Sequence, residues 1–275
     1  SIEKNLKFFN ELSLSESDRK KSKRIIDEIV SRLTFLRDVG LSYLTLNRKS
    51  NTLSGGETQR INLATSLGSA LVGSIYVLDE PSVGLHPEDT TRLIKILKNL
   101  KELGNSVLVV EHDEDIIRAA DEIIDLGPGA GSQGGNVIAQ GSINKLLNSD
   151  SLTVDYLTQN NLIEIPSLRR KSSNKIKLKG CRENNLKNIN VDIPLNSLVC
   201  ITGISGSGKT TLVKKILYPS LLKEKGIFKE KPGEFDNLTG NLESITSIEY
   251  IDQNPIGTSS RSNPATYIKA YDDIR

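Results

Sequence analysis

The sequence predicts an α/β fold in which helices cover a mainly parallel sheet, and three observations carry the prediction. Two short apolar runs, Ser74 to Leu78 and Val107 to Val110, show no polar alternation and read as strands buried on both faces. Amphipathic spacing accompanies them, with Leu93, Ile96, Leu97, Leu100 and Leu103 on one helical face. Further on, the apolar run Leu198-Val199-Cys200-Ile201 leads through Gly203 to Thr210 into a helix-like run, Leu212 to Leu217.

Taken in order, residues 1–37 read as helical. Charge is dense from Ser17 to Leu36, while Ile25, Ile26, Ile29, Val30, Leu33 and Leu36 recur on one face. A second helix is predicted over residues 54–70, ahead of the first strand. The glycines from Gly127 to Gly135 predict turns before a strand near Val137 to Ala139. Ile163 to Lys175 is polar and basic and contains Pro166, a linker composition. The expected organisation is therefore residues 1–162, a linker at 163–175, and residues 176–275. Past the linker, Ile176-Lys177-Leu178 and Leu186 to Ile193 resemble strands of a new sheet. Lys223 to Asn241 reads as a loop or insertion, and a last strand ends just before Gln253.

The 275 residues are 36% hydrophobic, enough for the core of one large domain or two small ones. No apolar run approaches the ~20 residues of a membrane span, and no basic-then-apolar N-terminal segment suggests secretion. Cys181 and Cys200 form no spaced cluster, which argues against a disulfide scaffold or zinc site and fits a reducing, cytoplasmic setting. A formal net charge of +2 neither demands nor forbids a nucleic-acid partner. The start at Ser1 and the lack of methionine read as those of an excerpt from a longer protein.

The sharpest motif is Gly203-Ile204-Ser205-Gly206-Ser207-Gly208-Lys209-Thr210, which fits G-x-x-x-x-G-K-[ST] in a strand–loop–helix context. Glycines let the backbone curl so that successive N–H groups point at phosphate oxygens, and the helix N-terminus adds partial positive charge. Lys209 would reach the β- and γ-phosphates of ATP, and the Thr210 hydroxyl would hold Mg²⁺. Asp79 and Glu80 close an apolar strand, where Asp79 can hold Mg²⁺ through water and Glu80 can polarise an attacking water. Taken alone, the pair is equally a solvated strand end before Pro81. Ser54-Gly55-Gly56-Glu57 is a capping box, and its helix N-terminus with two glycines is also a place where a γ-phosphate can approach backbone. His112 ends the second strand. A lone histidine is more often structural, but its place downstream of Asp79-Glu80 makes it a candidate γ-phosphate contact. Gln253 draws interest from lying downstream of Lys209. The basic run Arg169 to Lys179 fits a solvated linker better than a DNA-phosphate contact, because no aromatics interleave it.

Together these segments resemble the ABC ATPase superfamily. The signature is Leu53 to Arg60, Walker B ends at Asp79-Glu80, the D-loop is Ser82 to His86, the switch is His112, Walker A is Gly203 to Thr210 and the Q-loop is Gln253. The segments Asn51 to Ile61, Leu78 to His86, Val110 to Asp115, Asp125 to Gly131, and Asp252 to Tyr267 narrow the likeness to the UvrA family. The sequence departs from that pattern at Thr258-Ser259-Ser260, where a more basic, proline-containing run is common. In an ABC domain Walker A comes first; here it comes last. The resemblance therefore implies an ABC-type P-loop NTPase in which the C-terminal part of a first ATPase domain is joined to the N-terminal part of a second.

The resemblance further implies ATP-dependent recognition of damaged duplex DNA, loading of a UvrB-type partner for nucleotide excision repair, and a homodimer, with no membrane role. It assigns ATP contacts to Gly203, Ser205, Gly206, Gly208, Lys209, Thr210, Thr211 and Gln253, and to Ser54, Gly55 and Gly56 across a head-to-tail composite site. It gives Mg²⁺ to Thr210, Gln253 and, through water, Asp79, and catalysis to Glu80, Asp79 and His112. Because Asp79, Glu80 and His112 would serve the other composite site, the chain would hold halves of two sites and no complete hydrolytic centre. The family's zinc modules and UvrB-binding insertion would lie outside this span. Three alternatives stay open: the nucleotide-binding subunit of another ABC system such as a transporter, for which no exposed apolar coupling surface is legible; a permuted single domain in which Asp79 completes the site of Lys209; and a non-hydrolysing nucleotide-binding interaction module, which retained DNA binding without turnover would favour.

Overall fold

The computed structural model describes residues 1–53, 55–67, 72–158, 163–252, 264–270 and 274. The chain divides into two compact units: Ser1–Arg170 together with Cys200–Lys209, and Lys171–Val199 together with Thr210–Arg275.

The first unit opens with α1 (Ile2–Asn10) and α2 (Glu16–Leu36). Ser1 and Ser15 cap their N-termini, the Oγ atoms accepting from Lys4 N–H and Asp18 N–H. The apolar face of α2 is only partly used: Leu33 is buried, whereas Ile25 is 63% exposed. A widened turn at Arg37–Leu41 then buries Val39, Gly40 and Leu41. α3 (Gly55–Leu67), β1 (Ile75–Asp79), α4 (Pro87–Glu102) and β2 (Ser106–Val110) follow. β1 and β2 pair in parallel, Ile75 with Ser106 through Asp79 with Val110. α4 supplies Leu93, Ile96, Leu97 and Leu100 to the main core, against which Tyr76, Leu78, Val107 and Val109 pack.

The opposite face of this pair corrects the sequence reading. Strands covered on both faces were expected, yet Ile75 is 68% and Val77 64% exposed, and Leu108 and Val110 are also exposed. Successive strand side chains point to opposite sides, and α4 covers one of them. An exposed apolar surface that the sequence did not reveal therefore exists.

α5 (Glu114–Ala119) is capped by the Asp113 carboxylate, which accepts from Asp115 N–H and Ile116 N–H. β3 (Ile123–Gly127) and β4 (Asn136–Gly141) form an antiparallel hairpin across the expected glycine turns. α6 (Ile143–Leu146) and α7 (Leu152–Leu157) complete a smaller core of Leu146, Val154 and Leu157.

In the second unit, β5 (Lys175–Cys181) is the centre of an antiparallel sheet between β6 (Ile189–Pro194) and β7 (Asn237–Gly240). β7 lies inside the stretch expected to be a loop; its backbone pairing with β5 supplies the order that its polar side chains do not announce. A wide-turned helix, Thr211–Leu217, runs into α8 (Tyr218–Glu224), and Leu212, Ile216 and Leu222 are buried along with Ile176, Leu178 and Cys181. A short helix, α9 (Pro264–Tyr267), follows. Lys175, Lys177 and Lys179 alternate along β5, so the basic run is partly a strand and not only linker; Lys175 is paired with Asp192 and holds that carboxyl below the usual range.

Two expected strands do not form. Leu198–Ile201 is irregular with Leu198 wholly exposed, and so is Tyr250–Asp252, Ile251 being 92% exposed. Among the described residues no strand pairs with either run, and an apolar run without a ladder partner is not held as a strand.

Candidate functional site

The ends of β1 and β2 bring Asp79, Glu80 and His112 to one edge of the parallel pair. Glu80 continues the ladder through its N–H to Val110 O at 2.9 Å, then turns sharply with φ of +45°. Its carbonyl accepts from the Gln59 side-chain amide at 2.8 Å and from Val83 N–H at 3.2 Å. A non-glycine residue in left-handed backbone is strained, and those bonds hold it there. The Glu80 Oε1 lies 3.4 Å from His112 Nε2, with both side chains open to solvent. Asp79 is exposed beside them.

Glu111, adjoining the switch position, gathers four donors. Its Oε1 accepts Ser82 N–H at 2.7 Å, while its Oε2 accepts the Ser82 hydroxyl at 2.8 Å, His112 N–H at 3.0 Å and Asp113 N–H at 3.3 Å. The turn after β1 and the turn after β2 are thus tied together through one carboxylate.

The glycine loop Gly203–Lys209 belongs to the first unit, where it meets the signature segment. The Arg60 guanidinium donates a short hydrogen bond to Ser205 Oγ. A Cβ on Gly206, whose φ is +76°, would run into the Tyr43 ring, so this approach favours glycine. Gly203 and Gly208 also have positive φ. The Lys209 ammonium folds over its own loop, donating to Gly203 O at 2.6 Å and Ile204 O at 2.9 Å. Thr210 and Thr211 open the helix that follows, with Thr211 Oγ1 accepting from Asn184 Nδ2 at 3.4 Å.

The signature side is built on buried charge. Glu57 and Arg60 are both 3% exposed. Glu57 accepts the Tyr43 hydroxyl at 2.6 Å, and Arg60 lies 3.5 Å from Asp89. Burial, followed by the Glu57 carboxylate, pushes the Tyr43 phenol up to about 12. Gly55 starts α3, and Gly56 faces the turn at Gly84 O, 3.8 Å from where its Cβ would be. Ser54 and Gln253 lie outside the described residues. Sequence reasoning named neither Tyr43 nor Glu111 as a site residue. No local motif marks Tyr43, whose partners Glu57 and Gly206 are distant in sequence; Glu111 was visible only as the neighbour of His112.

Over its whole length the chain is 52% identical to UvrABC system protein A of Staphylococcus epidermidis and 51% identical to that of Staphylococcus aureus, spanning 29% of each relative. The chain thus matches one part of UvrABC system protein A over all of its own length. The crystal structure of UvrA2 from Deinococcus radiodurans superposes with a TM-score of 0.86 at 41% identity, covering 99% of this chain and 34% of that one. Residues 5–117 also match the family model described as "AAA domain, putative AbiEii toxin, Type IV TA system". The chain has an α/β P-loop NTPase fold of the ABC type, and that likeness implies nucleotide binding. No helix among the described residues is long and apolar enough to cross a membrane.

Proposed function

We propose that the chain is the part of a UvrA-type nucleotide excision repair ATPase that joins the signature half of one ABC domain, residues 1–162, to the Walker A half of the next, residues 176–275, through the linker 163–175. The observation that carries this reading is the seating of Gly203–Lys209 against Tyr43 and Arg60 of the signature segment. It favours the tandem arrangement over the permuted one, in which Asp79 would meet that loop.

In this reading ATP is gripped between the glycine loop and the N-terminus of α3. The curled loop fits a polyphosphate: its glycines leave backbone amides unshielded by side chains, and the Lys209 ammonium, held by two loop carbonyls, is placed to turn to phosphate instead. Gly203, Ser205, Gly206, Gly208, Lys209, Thr210 and Thr211 bind phosphate, Gln253 joins them, and Ser54, Gly55 and Gly56 close the site from the other side. The hydroxyl of Thr210 suits Mg²⁺, a hard cation that prefers oxygen ligands; the ion would neutralise phosphate charge. Gln253, and Asp79 through water, would be its other partners, Asp79 in the second composite site. There Glu80 would orient and deprotonate the attacking water, and His112, whose Nε2 lies 3.4 Å from Glu80 Oε1, would contact the γ-phosphate. The intact protein would use this cycle in the cytoplasm as a homodimer, to recognise damaged duplex DNA and load a UvrB-type partner.

The test is nucleotide binding and turnover in the intact protein. Lys209→Ala should abolish binding at one composite site and leave the other filled. Glu80→Gln should keep nucleotide bound and stop turnover at the second. Unchanged nucleotide affinity at both sites in Lys209→Ala would overturn the reading.

A further inference from the structure

We infer that Glu111 is a positioning residue for hydrolysis, a carboxylate clamp that fixes the register between the turn leaving Glu80 and the backbone of His112. The inference rests on the reading of Glu80 and His112 given above and adds to it the group that holds them in place.

The geometry of the clamp is specific. Three of its four donors are backbone N–H groups, those of Ser82, His112 and Asp113, and the fourth is the Ser82 hydroxyl. Charge-assisted bonds to backbone are among the stronger and more directional ones. Ser82 lies two residues beyond Glu80, and His112 immediately follows Glu111, so one rigid group sets the separation between the two strand ends. Parallel pairing reaches only to Asp79 and Val110, with Glu80 N–H to Val110 O as its last rung. Beyond that rung no backbone bond between the turns holds Ser82 to His112; the Glu111 side chain does so instead.

The consequences can be separated from folding. The Glu80 carbonyl is held independently by Gln59 and Val83 N–H, and β1 and β2 keep their own ladder. Loss of Glu111 therefore leaves the strands and Glu80 backbone in place and frees only the alignment of the two turns. A reacting group misplaced by about 1 Å can cost on the order of a hundredfold in rate. All four bonds of Glu111 go to Ser82, His112 N–H and Asp113 N–H and none is left for nucleotide, so the effect should fall on turnover rather than affinity.

In the intact protein carrying Lys209→Ala, which silences the other composite site, adding Glu111→Ala should lower kcat for ATP by about ten- to a hundredfold, with KM within about threefold of the Lys209→Ala parent and an unchanged thermal melt. Glu111→Gln keeps one acceptor oxygen and should recover part of the rate; if the alanine variant does not fold, the glutamine variant carries the test, with a reduced kcat expected at unchanged KM. Glu80→Gln is assayed beside them in the same Lys209→Ala background. Normal kcat in the Glu111 variants with turnover lost in Glu80→Gln would overturn the clamp alone. Normal kcat in all of them would overturn both the clamp and the role of Glu80. A lowered kcat that tracks a lowered melt and a raised KM would assign Glu111 to fold stability and also overturn the proposal.

Discussion

Removing the Arg60 guanidinium should destabilise the first unit by about 3–5 kcal/mol, the usual loss when one member of a buried ion pair is deleted. Arg60 is 3% exposed and its partner Asp89 is 6% exposed, with 3.5 Å between Nη1 and Oδ1. At an effective dielectric of about 20, that separation corresponds to roughly 5 kcal/mol of direct attraction, the same scale as the expected loss. Arg60 also donates to Gly56 O at 3.2 Å and Val39 O at 3.4 Å, so its removal leaves two carbonyls short of a donor. Asp89 would retain Arg92 at 3.7 Å, on a guanidinium nearly half open to water, while its Oδ2 already has no hydrogen-bond partner. The assay is urea unfolding of the chain followed by far-UV circular dichroism, comparing the parent, Arg60→Ala and the double variant Arg60→Met/Asp89→Leu. The double variant should recover most of the loss, because it removes the stranded charge along with its partner. A loss below about 1 kcal/mol in Arg60→Ala, or a double variant no more stable than the single one, would refute the argument.

Other expectations follow from the same contacts. Tyr43 should ionise near pH 12 in an absorbance titration, and Tyr43→Phe should delete that step. Because its folded value is raised above the ordinary 10.0, the stability it contributes is fully present below pH 10 and is lost as pH rises toward about 12. Gly206→Ala should weaken binding of a fluorescent ATP analogue in the intact protein, since the methyl meets the Tyr43 ring and the positive φ adds about 1–2 kcal/mol of strain. Adding Tyr43→Ala should restore part of that affinity. Leu146→Ala, at a residue with no exposed surface, should cost about 2–5 kcal/mol in a urea titration.

What could be read from the sequence follows from how local each signal is. Helical spacing located α4 because Leu93, Ile96, Leu97 and Leu100 face one core, and the hairpin of β3 and β4 was announced by its glycines. Leu198–Ile201 misled because an apolar run specifies a wish for burial and not a partner; without a neighbouring ladder it stays irregular. β7 misled in the opposite sense, its polar residues being ordered by backbone pairing with β5. At the candidate site, the residue types at Asp79, Glu80, His112 and Gly203–Lys209 were legible because chemistry restricts them. The groups that arrange them were not. Gln59 reaches Glu80 from α3, Tyr43 meets Gly206 across the unit, and Glu111 works through bonds to backbone, which leave no pattern in side-chain identity.

The uncovered side of the β1–β2 ribbon has a consequence for handling the chain. Ile75, Val77, Leu108 and Val110 form a greasy strip that water meets directly. Such a strip should light up a reporter dye such as ANS and make copies of the chain cling together as they are concentrated. Sulfate, which strengthens apolar association, should precipitate it early, and polar replacements at Val77 and Leu108 should raise its solubility without disturbing the core on the far side.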